Sequence, residues 1–423
     1  MLLKYVKTLL LASVLGGLCA CAQVNTTGRA TAGSPPSTAA PVPATPPTAQ
    51  GPSGNIPAPA VPAQIPAPAV IAVPPPVQQR SMPIRIALLL PLRSDTLGRV
   101  ASTVRAGFMA AHERENDQGL IISIIETTEA VPDVLSGYGA AVANHDIVVG
   151  PLSRTGVTAI VQSGAVSKPT IALGQPDTPG DVEIMLPHQM LSIGLSIEDE
   201  ARQVANWAGS NSPGGRAFTV STGIAWQRRA AKAFAGQWQR LGRQLEIMEL
   251  TAASGFLNAS GLLQLRNRIE TEKPEFLFVA LDAVYTRQLR EAIGADIALY
   301  GTSQLNPHAL PDWATAEPMT YMNGVQLVDL PWQVQPDHPT VMKYPRPAVN
   351  PDQRRSADLE RLYALGIDAY RVAREVALKR TQFELDGVTG KLKIDLGRSI
   401  GRFERIEVPA IYQDGIVVPA PVP

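Results

Sequence analysis

The sequence predicts an α/β protein whose body has two lobes, each built on a doubly wound, mostly parallel sheet with helices on both faces. Two observations support this fold class. From residue 82 onward, apolar runs of strand length alternate with amphipathic segments of helix length, a pattern typical of parallel sheets. The alternating part has roughly 340 residues, which is more than one such sheet needs and therefore predicts two lobes.

Several segments of the body are predicted strands. Each is a run of mainly β-branched, Leu or aromatic residues that ends at a Gly, a Pro or a polar residue. These strands are Ile84–Leu92, Leu120–Glu126, Asp146–Gly150, Pro169–Gly174, Ala217–Thr222, Gln244–Leu250, Glu275–Asp282 and Ile297–Ser303. Helical patterns separate them, as expected for strand–helix–strand units.

One predicted helix leads from the first lobe into the second. Ser196 is a suitable N-cap, and the acidic residues 198–200 favour the positive end of the helix dipole. A later amphipathic helix, 358–380, is expected to return to the first lobe, and the glycine-rich segment after it has the pattern of β-hairpins. The predicted first lobe therefore comprises 82–195 and 331–381, and the predicted second lobe comprises 196–330 and 382–423.

The first twenty residues have the pattern of a secretory lipoprotein signal. Two lysines precede the apolar run Leu9–Leu18, which is too short to span a membrane. The run ends in Leu-Cys-Ala-Cys, a bacterial lipobox that predicts a lipid on Cys21. Ala22 follows, where an Asp would favour the inner membrane, so we expect an outer-membrane anchor with the body in the periplasm. An ordinary signal peptide with incidental cysteines is the alternative.

Residues 21–81 are predicted to form a disordered tether. No charged residue occurs between Arg29 and Arg80, and the segment consists largely of Pro, Ala, Thr and Val. Such a chain cannot build a core and favours extended polyproline II. At about 3.1 Å per residue, roughly fifty residues would reach on the order of 150 Å. The segment is therefore interpreted as a stalk, and a Pro-rich ligand for another domain is the alternative.

Charge and motifs exclude several classes of function. The chain has 37 Lys and Arg against 37 Asp and Glu, without the basic excess of a nucleic-acid-binding protein. The body lacks cysteines, a G-x-S-x-G elbow, a P-loop and histidines at metal-ligand spacing. We therefore predict a protein that is not an enzyme and needs neither a cofactor nor a metal.

The order of several motifs resembles a known family. These motifs are IALLLPL, AGFMAA, IVVGPLS, IALGQP, LSIEDEARQVANWA, LYGTSQL, DLPWQV, RLYALGIDAYRVA and DGVTGKLKID, and they span nearly all of Ile84–Gly415. They resemble the C-terminal domain of the LpoA family of penicillin-binding-protein activators, outer-membrane lipoproteins with a type I periplasmic-binding-protein fold. Leucine-binding proteins share the strand starts and the GVTG element. Enterobacterial members of the LpoA family carry an N-terminal helical-repeat domain where this sequence has the Pro-rich tether.

A candidate ligand cleft follows from the strand ends. In open α/β sheets, ligands lie beyond the carboxyl ends of the strands, and in a two-lobed protein these ends face the cleft. Ser153, Arg154 and Thr155 follow the strand Asp146–Gly150 at the start of a predicted helix. The helix N-terminus would suit a carboxylate, and the arginine would add a charge-assisted bond. The alternative is that Ser153 and Thr155 only cap the helix.

The remaining candidates lie on neighbouring loops of both lobes. In solute-binding relatives the loop after the next strand helps to hold an amino acid's charged groups, and here it carries Gln175 and Asp177. These two residues could instead form only a turn. The candidates on the opposing lobe are Thr222, Trp226, Asp282, Ser303 and Gln304.

Two further features could serve a protein partner. Arg228, Arg229 and Lys232 fall on one turn of a predicted helix and form either a docking patch for an acidic partner or a solvated face. Trp332 follows a proline where the chain crosses between lobes and is either an exposed anchor or a buried hinge residue.

Two functions from different classes remain open. The resemblance implies a lipoprotein that reaches through the periplasm to bind and stimulate a class A penicillin-binding protein during peptidoglycan synthesis. The cleft residues fit the alternative, a lipid-anchored solute-binding protein for an amino acid or amide. The tether favours the first, because delivery of a solute to a transporter occurs at the inner membrane.

Overall fold

The structure is a computed structural model that describes residues 82–177, 184–212, 215–308, 317–348, 355–397 and 401–421. The predicted signal 1–20, Cys21 and the predicted tether 21–81 lie outside these residues. Within them, no helix is long and apolar enough to cross a membrane.

The described residues form an alternating series of strands and helices. The strands are β1 (Ile84–Leu90), β2 (Leu120–Glu126), β3 (Ile147–Val149), β4 (Thr170–Ala172), β5 (Met190–Ser192), β6 (Ala217–Thr222), β7 (Leu245–Leu250), β8 (Ala252–Ala253), β9 (Phe256–Leu257), β10 (Phe276–Val279), β11 (Ala298–Gly301), β12 (Gln326–Asp329), β13 (Gln382–Asp386), β14 (Lys391–Asp395), β15 (Arg402–Ile406), β16 (Val408–Gln413) and β17 (Ile416–Pro419). The helices are α1 (Gly98–Glu115), α2 (Val131–Asn144), α3 (Arg154–Ser163), α4 (Ile197–Asn211), α5 (Ala225–Arg240), α6 (Ala259–Glu272), α7 (Ala283–Ile293), α8 (Pro331–Val334), α9 (Pro339–Met342) and α10 (Ala357–Ala377).

Two larger sheets define the two lobes of a type I periplasmic-binding-protein fold. The first has the strand order β2-β1-β3-β4-β5, and all of its pairs are parallel. The second has the order β17-β16-β12-β11-β10-β6-β7; its pairs β12–β16 and β16–β17 are antiparallel, and its other pairs are parallel. Residues 86–90 of β1 are fully buried, as expected for a strand covered on both faces. The predicted fold class is therefore confirmed.

The first core closes around helices that are distant in sequence. Helix α10 packs along α1, and two glycines allow their backbones to come close. A Cβ on Gly107 would lie 1.9 Å from the carbonyl oxygen of Tyr363, and one on Gly366 would lie 2.1 Å from that of Val104. The first lobe therefore combines an early segment of the body, α1, with a late one, α10.

A small antiparallel sheet, β13-β14-β15, belongs to a different lobe from the one predicted for it. Its residues Val388, Leu392 and Ile394 belong to the same core cluster as β1 and α10. Only β16 and β17, which follow it, pair with the second sheet. Segment 382–406 therefore packs with the first core rather than with the second, to which the sequence assigned it. The other lobe limits stay a prediction.

Three segments carry the chain from one core to the other, and together they are called the hinge. The first is Ile193–Ser196, between β5 and α4. The second is Asp329–Leu330, the last residue of β12 and the residue before α8, and the third is Glu407, between β15 and β16.

Candidate functional site

The first-lobe wall of the cleft begins at a glycine. Gly150 follows β3 with a φ of +117°, and a Cβ there would lie 2.1 Å from the carbonyl oxygen of Leu89. Any other residue would be strained in this conformation and would collide with β1. The glycine lets the chain leave the sheet edge tightly and enter α3.

Ser153 and Thr155 lie at the start of α3 but differ in their surroundings. The Ser153 hydroxyl caps the helix by accepting a hydrogen bond from the Gly156 amide at 3.2 Å. The Thr155 side chain is exposed. The capping role accounts for the serine without a ligand, and nothing comparable accounts for the threonine.

Arg154 is already engaged by carboxylates of the protein itself. Its Nε lies 3.2 Å from Asp177 Oδ1, and its Nη2 lies 3.4 Å from Glu198 Oε1. The same Glu198 oxygen accepts a hydrogen bond from Arg229 Nε at 2.8 Å. These four residues are called the rim chain, an alternation of charges that runs from α3 across α4 to α5. A ligand carboxylate at Arg154 would have to compete with Asp177 and Glu198.

Gln175 and Asp177 lie beside Arg154. The Asp177 amide donates to Thr158 Oγ1 at 2.8 Å, which fixes the turn after β4 against α3. Gln175 and Arg154 both line a cavity of about 960 Å³, whose opposite wall includes Phe383 and Phe403 of the small sheet. The structure therefore brings the first-lobe candidates together, next to a space bounded partly by β13–β15.

Most second-lobe candidates have local structural roles. The amide and hydroxyl of Thr222 donate to Gln227 Oε1 at 2.9 and 2.7 Å, which closes the turn into α5. Asp282 caps α7 by accepting a hydrogen bond from the Tyr285 amide at 2.8 Å. Trp226 is half-buried on the first turn of α5.

Ser303 is bound by residues that surround the hinge rather than being open to the cleft. It is buried in a short 3-10 turn, and its amide and hydroxyl donate to the Glu200 carboxylate at 2.8 and 3.1 Å. Gln304, the next residue, is half-buried. Three second-lobe candidates, Thr222, Asp282 and Ser303, are therefore engaged by partners within the protein.

The hinge contains a buried group of charges that the sequence analysis missed. Arg361 of α10 binds Asp329 with two parallel bonds, Nε to Oδ1 at 3.0 Å and Nη2 to Oδ2 at 2.8 Å. Its Nη2 also donates to the carbonyl oxygens of Ser303 and Asn306, at 3.0 and 2.9 Å. The side chains of Arg361 and Asp329 are 5% and 0% exposed. A residue of α10 thus binds two segments that are distant in sequence, the turn 303–306 and the end of β12 at Asp329.

Arg405 and Gln203 bind the two remaining hinge segments. Arg405 donates to the carbonyl oxygens of Ile193 and Gly194 at 2.6 and 3.0 Å. Next to it, the Gln203 side chain exchanges two hydrogen bonds with the backbone of Glu407, at 2.8 and 3.0 Å. All three hinge segments are therefore tied by side chains.

Burial changes the proton affinity of the acids in this group. Burial, with the nearby charge of Asp329, raises the pKa of Glu200 to about 7, although the bonds from Ser303 and the charge of Arg361 oppose the shift. Burial and the charge of Glu200 raise the pKa of Glu407 well above its ordinary value. Glu200, Asp329, Arg361, Arg405 and Glu407 are called the hinge cluster below.

The two features considered for a protein partner have different outcomes. Arg228 pairs with Glu249, Nε to Oε2 at 2.8 Å, and Arg229 belongs to the rim chain. Trp332 is fully buried, and its indole donates to Glu360 Oε2 at 2.7 Å. The interpretation of Trp332 as an exposed anchor is therefore wrong.

Metal chemistry has no support in the described part of the chain. No group of three or more His, Cys, Asp or Glu side chains within it could hold a metal ion.

The comparisons with known proteins identify the family. A family model described as LppC putative lipoprotein matches residues 56–405. The chain belongs to the LppC family. Curated relatives of this LppC chain are named penicillin-binding protein activator LpoA. That of Photobacterium profundum is 26% identical over 73% of this chain and 53% of the relative, and that of Edwardsiella ictaluri is 27% identical over 80% and 51%. The chain spans about half the length of these relatives.

Solved structures similar to the LppC chain support the same fold. The C-domain of LpoA from Haemophilus influenzae, titled a regulator of PBP1A, aligns with a TM-score of 0.61, 24% identity, 79% of this chain and 99% of that chain. A protein of Chromobacterium violaceum, titled a putative branched-chain amino acid ABC transporter, aligns with a TM-score of 0.61, 33% identity, 78% of this chain and 99% of that chain. The resemblance to LpoA and to leucine-binding-like proteins is therefore confirmed.

Proposed function

We propose that this LppC-family chain is a non-enzymatic lipoprotein of the outer membrane that binds and stimulates a class A penicillin-binding protein in peptidoglycan synthesis. One observation carries the proposal: the body matches relatives named LpoA over 73–80% of this chain and nearly the whole of the LpoA C-domain. The lipid on Cys21 and the tether 21–81, both predicted from the sequence, would let the body reach a synthase across the periplasm.

The geometry of the cleft favours a protein partner over a small anion. Arg154, the cation among the candidate cleft residues, is shared between Asp177 and Glu198. The two lobes are also joined by the buried bonds of Arg361. In this proposal the joined lobes present fixed outer faces to the synthase. Activation follows if these faces bind the active state of the synthase more tightly than its inactive state.

We propose that the synthase docks on the part of the chain that matches its relatives. The chain aligns with about half of each curated relative, and its match includes the LpoA C-domain. Binding of the synthase is therefore assigned to the described body. This assignment separates the proposal from one in which an additional domain is needed.

Reconstitution of synthesis tests the proposal. The full lipidated chain in detergent is titrated into purified class A penicillin-binding proteins while the rate of glycan polymerisation is measured. A saturable rise in rate is expected, together with direct binding to the same synthase. A Cys21→Ala chain is the matched control: it should stimulate in vitro and fail to replace the native chain in cells. Absence of binding to every class A synthase would overturn the proposal.

A second candidate function has a separate observation in its favour. The protein of Chromobacterium violaceum is 33% identical and is titled a putative branched-chain amino acid ABC transporter. By this alternative the cleft binds an amino acid or amide. Thermal unfolding in the presence of such ligands tests it, because a ligand at about 100 times its Kd stabilises the folded state by about 2.7 kcal/mol.

The choice of variant decides how that test is interpreted. Ser153→Ala would lower stability through the lost helix cap, with or without a ligand. Thr155→Ala changes an exposed side chain at the same helix end and is the cleaner probe. A ligand-induced shift that Thr155→Ala abolishes would favour solute binding over synthase activation.

A further inference from the structure

The hinge cluster contains more negative than positive charge. Glu200, Asp329 and Glu407 come from three different segments and are 6%, 0% and 5% exposed. Two guanidinium groups, those of Arg361 and Arg405, lie among them. Three carboxylates against two cations leave one negative charge without compensation, and burying such a charge is costly.

The neighbouring titratable groups do not correct this balance. Three further acids face the cluster, and each has its own cation or solvent. Asp199 of α4 pairs with Arg202, and Asp368 of α10 pairs with Arg371. Asp358 accepts a bond from Arg361 Nη1 at 3.0 Å but is 70% exposed, so solvent compensates its charge and it adds no cation to the cluster. On β16, Tyr412 stays neutral because burial raises its pKa. The excess charge therefore belongs to the hinge cluster itself.

The hydrogen bonds show which acids can take a proton. Asp329 receives two bonds from Arg361, one from the Leu330 amide at 2.8 Å and one from Asn306 Nδ2 at 2.8 Å, so each of its two oxygens accepts two hydrogen bonds. Among the described residues, the Glu200 carboxylate receives hydrogen bonds from Ser303 alone. Glu407 Oε2 is buried and has no hydrogen-bond partner among the described residues.

We propose that the hinge cluster holds one proton at neutral pH, shared by Glu200 and Glu407, and that losing it loosens the tie between the two lobes. With the proton bound, two carboxylates face two guanidinium groups and the cluster is neutral. Without it, three carboxylates face two guanidinium groups, and the uncompensated charge favours entry of water between the three hinge segments.

The sign of the pH dependence follows from the direction of the shift. The pKa of Glu200 rises from 4.5 to about 7 on folding. The stabilisation from the proton is therefore fully present below pH 4.5 and is lost as the pH rises through about 7. One proton changes the unfolding equilibrium constant by up to tenfold per pH unit in this window.

The test measures the hinge directly in the full chain. Hydrogen exchange of the backbone amides, corrected for the intrinsic effect of pH, is followed between about pH 5 and about pH 8. The informative amides are those of Ser303, Leu330 and Glu407. They donate to the side chains of Glu200, Asp329 and Gln203, respectively. We expect their protection to fall with pH in the native chain and to stay constant in Glu407→Gln, which imitates the protonated acid.

A matched control separates this effect from the loss of any buried acid. Glu375 is also 5% exposed but pairs with Arg374 and Arg380, so Glu375→Gln should keep the native pH dependence at the hinge. If Glu407→Gln does not fold, calorimetry of the native chain in buffers of different ionisation enthalpy counts the protons released on unfolding at about pH 6. Release of about one proton supports the proposal. No release, or an unchanged pH dependence in Glu407→Gln, overturns it.

Discussion

The rim chain and the hinge cluster both tie the two lobes through arginines and carboxylates, but they differ in burial. In the hinge cluster, Arg361 and Asp329 are 5% and 0% exposed. In the rim chain, the side chains of Arg154 and Glu198 are 31% and 15% exposed, and that of Arg229 is 40% exposed. A buried pair cannot lose one partner without leaving an unpaired charge, whereas water can replace either partner of a partly exposed pair. The hinge cluster therefore specifies the arrangement of the lobes, and the rim chain can open at little cost.

The largest expected effect is at the hinge. Arg361→Ala leaves Asp329 buried without its cation and should lower the free energy of unfolding by about 3–5 kcal/mol. Chemical denaturation measures this loss. The double variant Arg361→Met with Asp329→Asn removes both charges and should recover a substantial part of it. A loss below about 1 kcal/mol would mean that the buried pair behaves like an exposed one.

A smaller effect is expected at the first turn of α3, where the cleft candidates lie. Ser153→Ala removes the N-cap and should cost about 1 kcal/mol of stability. The matched change Thr155→Ala affects an exposed hydroxyl and should stay within about 0.5 kcal/mol. Thermal unfolding of both variants without any ligand checks the difference. Equal losses would contradict the assignment of Ser153 as the cap.

The smallest effect is expected at the rim chain. Arg154→Ala should cost about 0–1 kcal/mol, because its partners remain partly hydrated. The difference from the native chain should shrink in about 1 M salt, which screens exposed charges. Denaturation curves at low and high salt measure it, with Arg229→Ala as the companion variant. A loss as large as that at Arg361 would remove the distinction between the two regions.

The sequence predicted the regular parts of the fold because their signals are local. The strands Leu120–Glu126 and Ala217–Thr222 coincide with β2 and β6, and the other predicted strands each contain an observed strand. Ser196 caps α4 as predicted, by accepting a bond from the Asp199 amide. β5 and β12, which have 3 and 4 residues, were not among the predicted strands.

The hinge cluster could not be predicted because its pattern is not local. Glu200 is one of three acids on the first turn of α4, and only the position of Ser303, 103 residues later, makes it a buried acid. Arg361 likewise follows Glu360 directly in a predicted helix, and from the sequence alone neither charge can be distinguished from a charge on the helix surface. Asp329 at the carboxyl end of β12 was the available signal, because polar residues at strand ends gather at the functional edge of such sheets.

The pairing of α1 with α10 has a consequence for how the chain reaches its native state. Tyr370 of α10 donates to Asp117, which lies 253 residues earlier. The core of the first lobe therefore cannot close until nearly the whole body has emerged, whereas most of the second core is contributed by one stretch, 197–329. Contacts so distant in sequence slow folding. During synthesis the amino end of the chain appears first, so the first lobe is begun first but is expected to be completed last. Until then its apolar strands are exposed to aggregation.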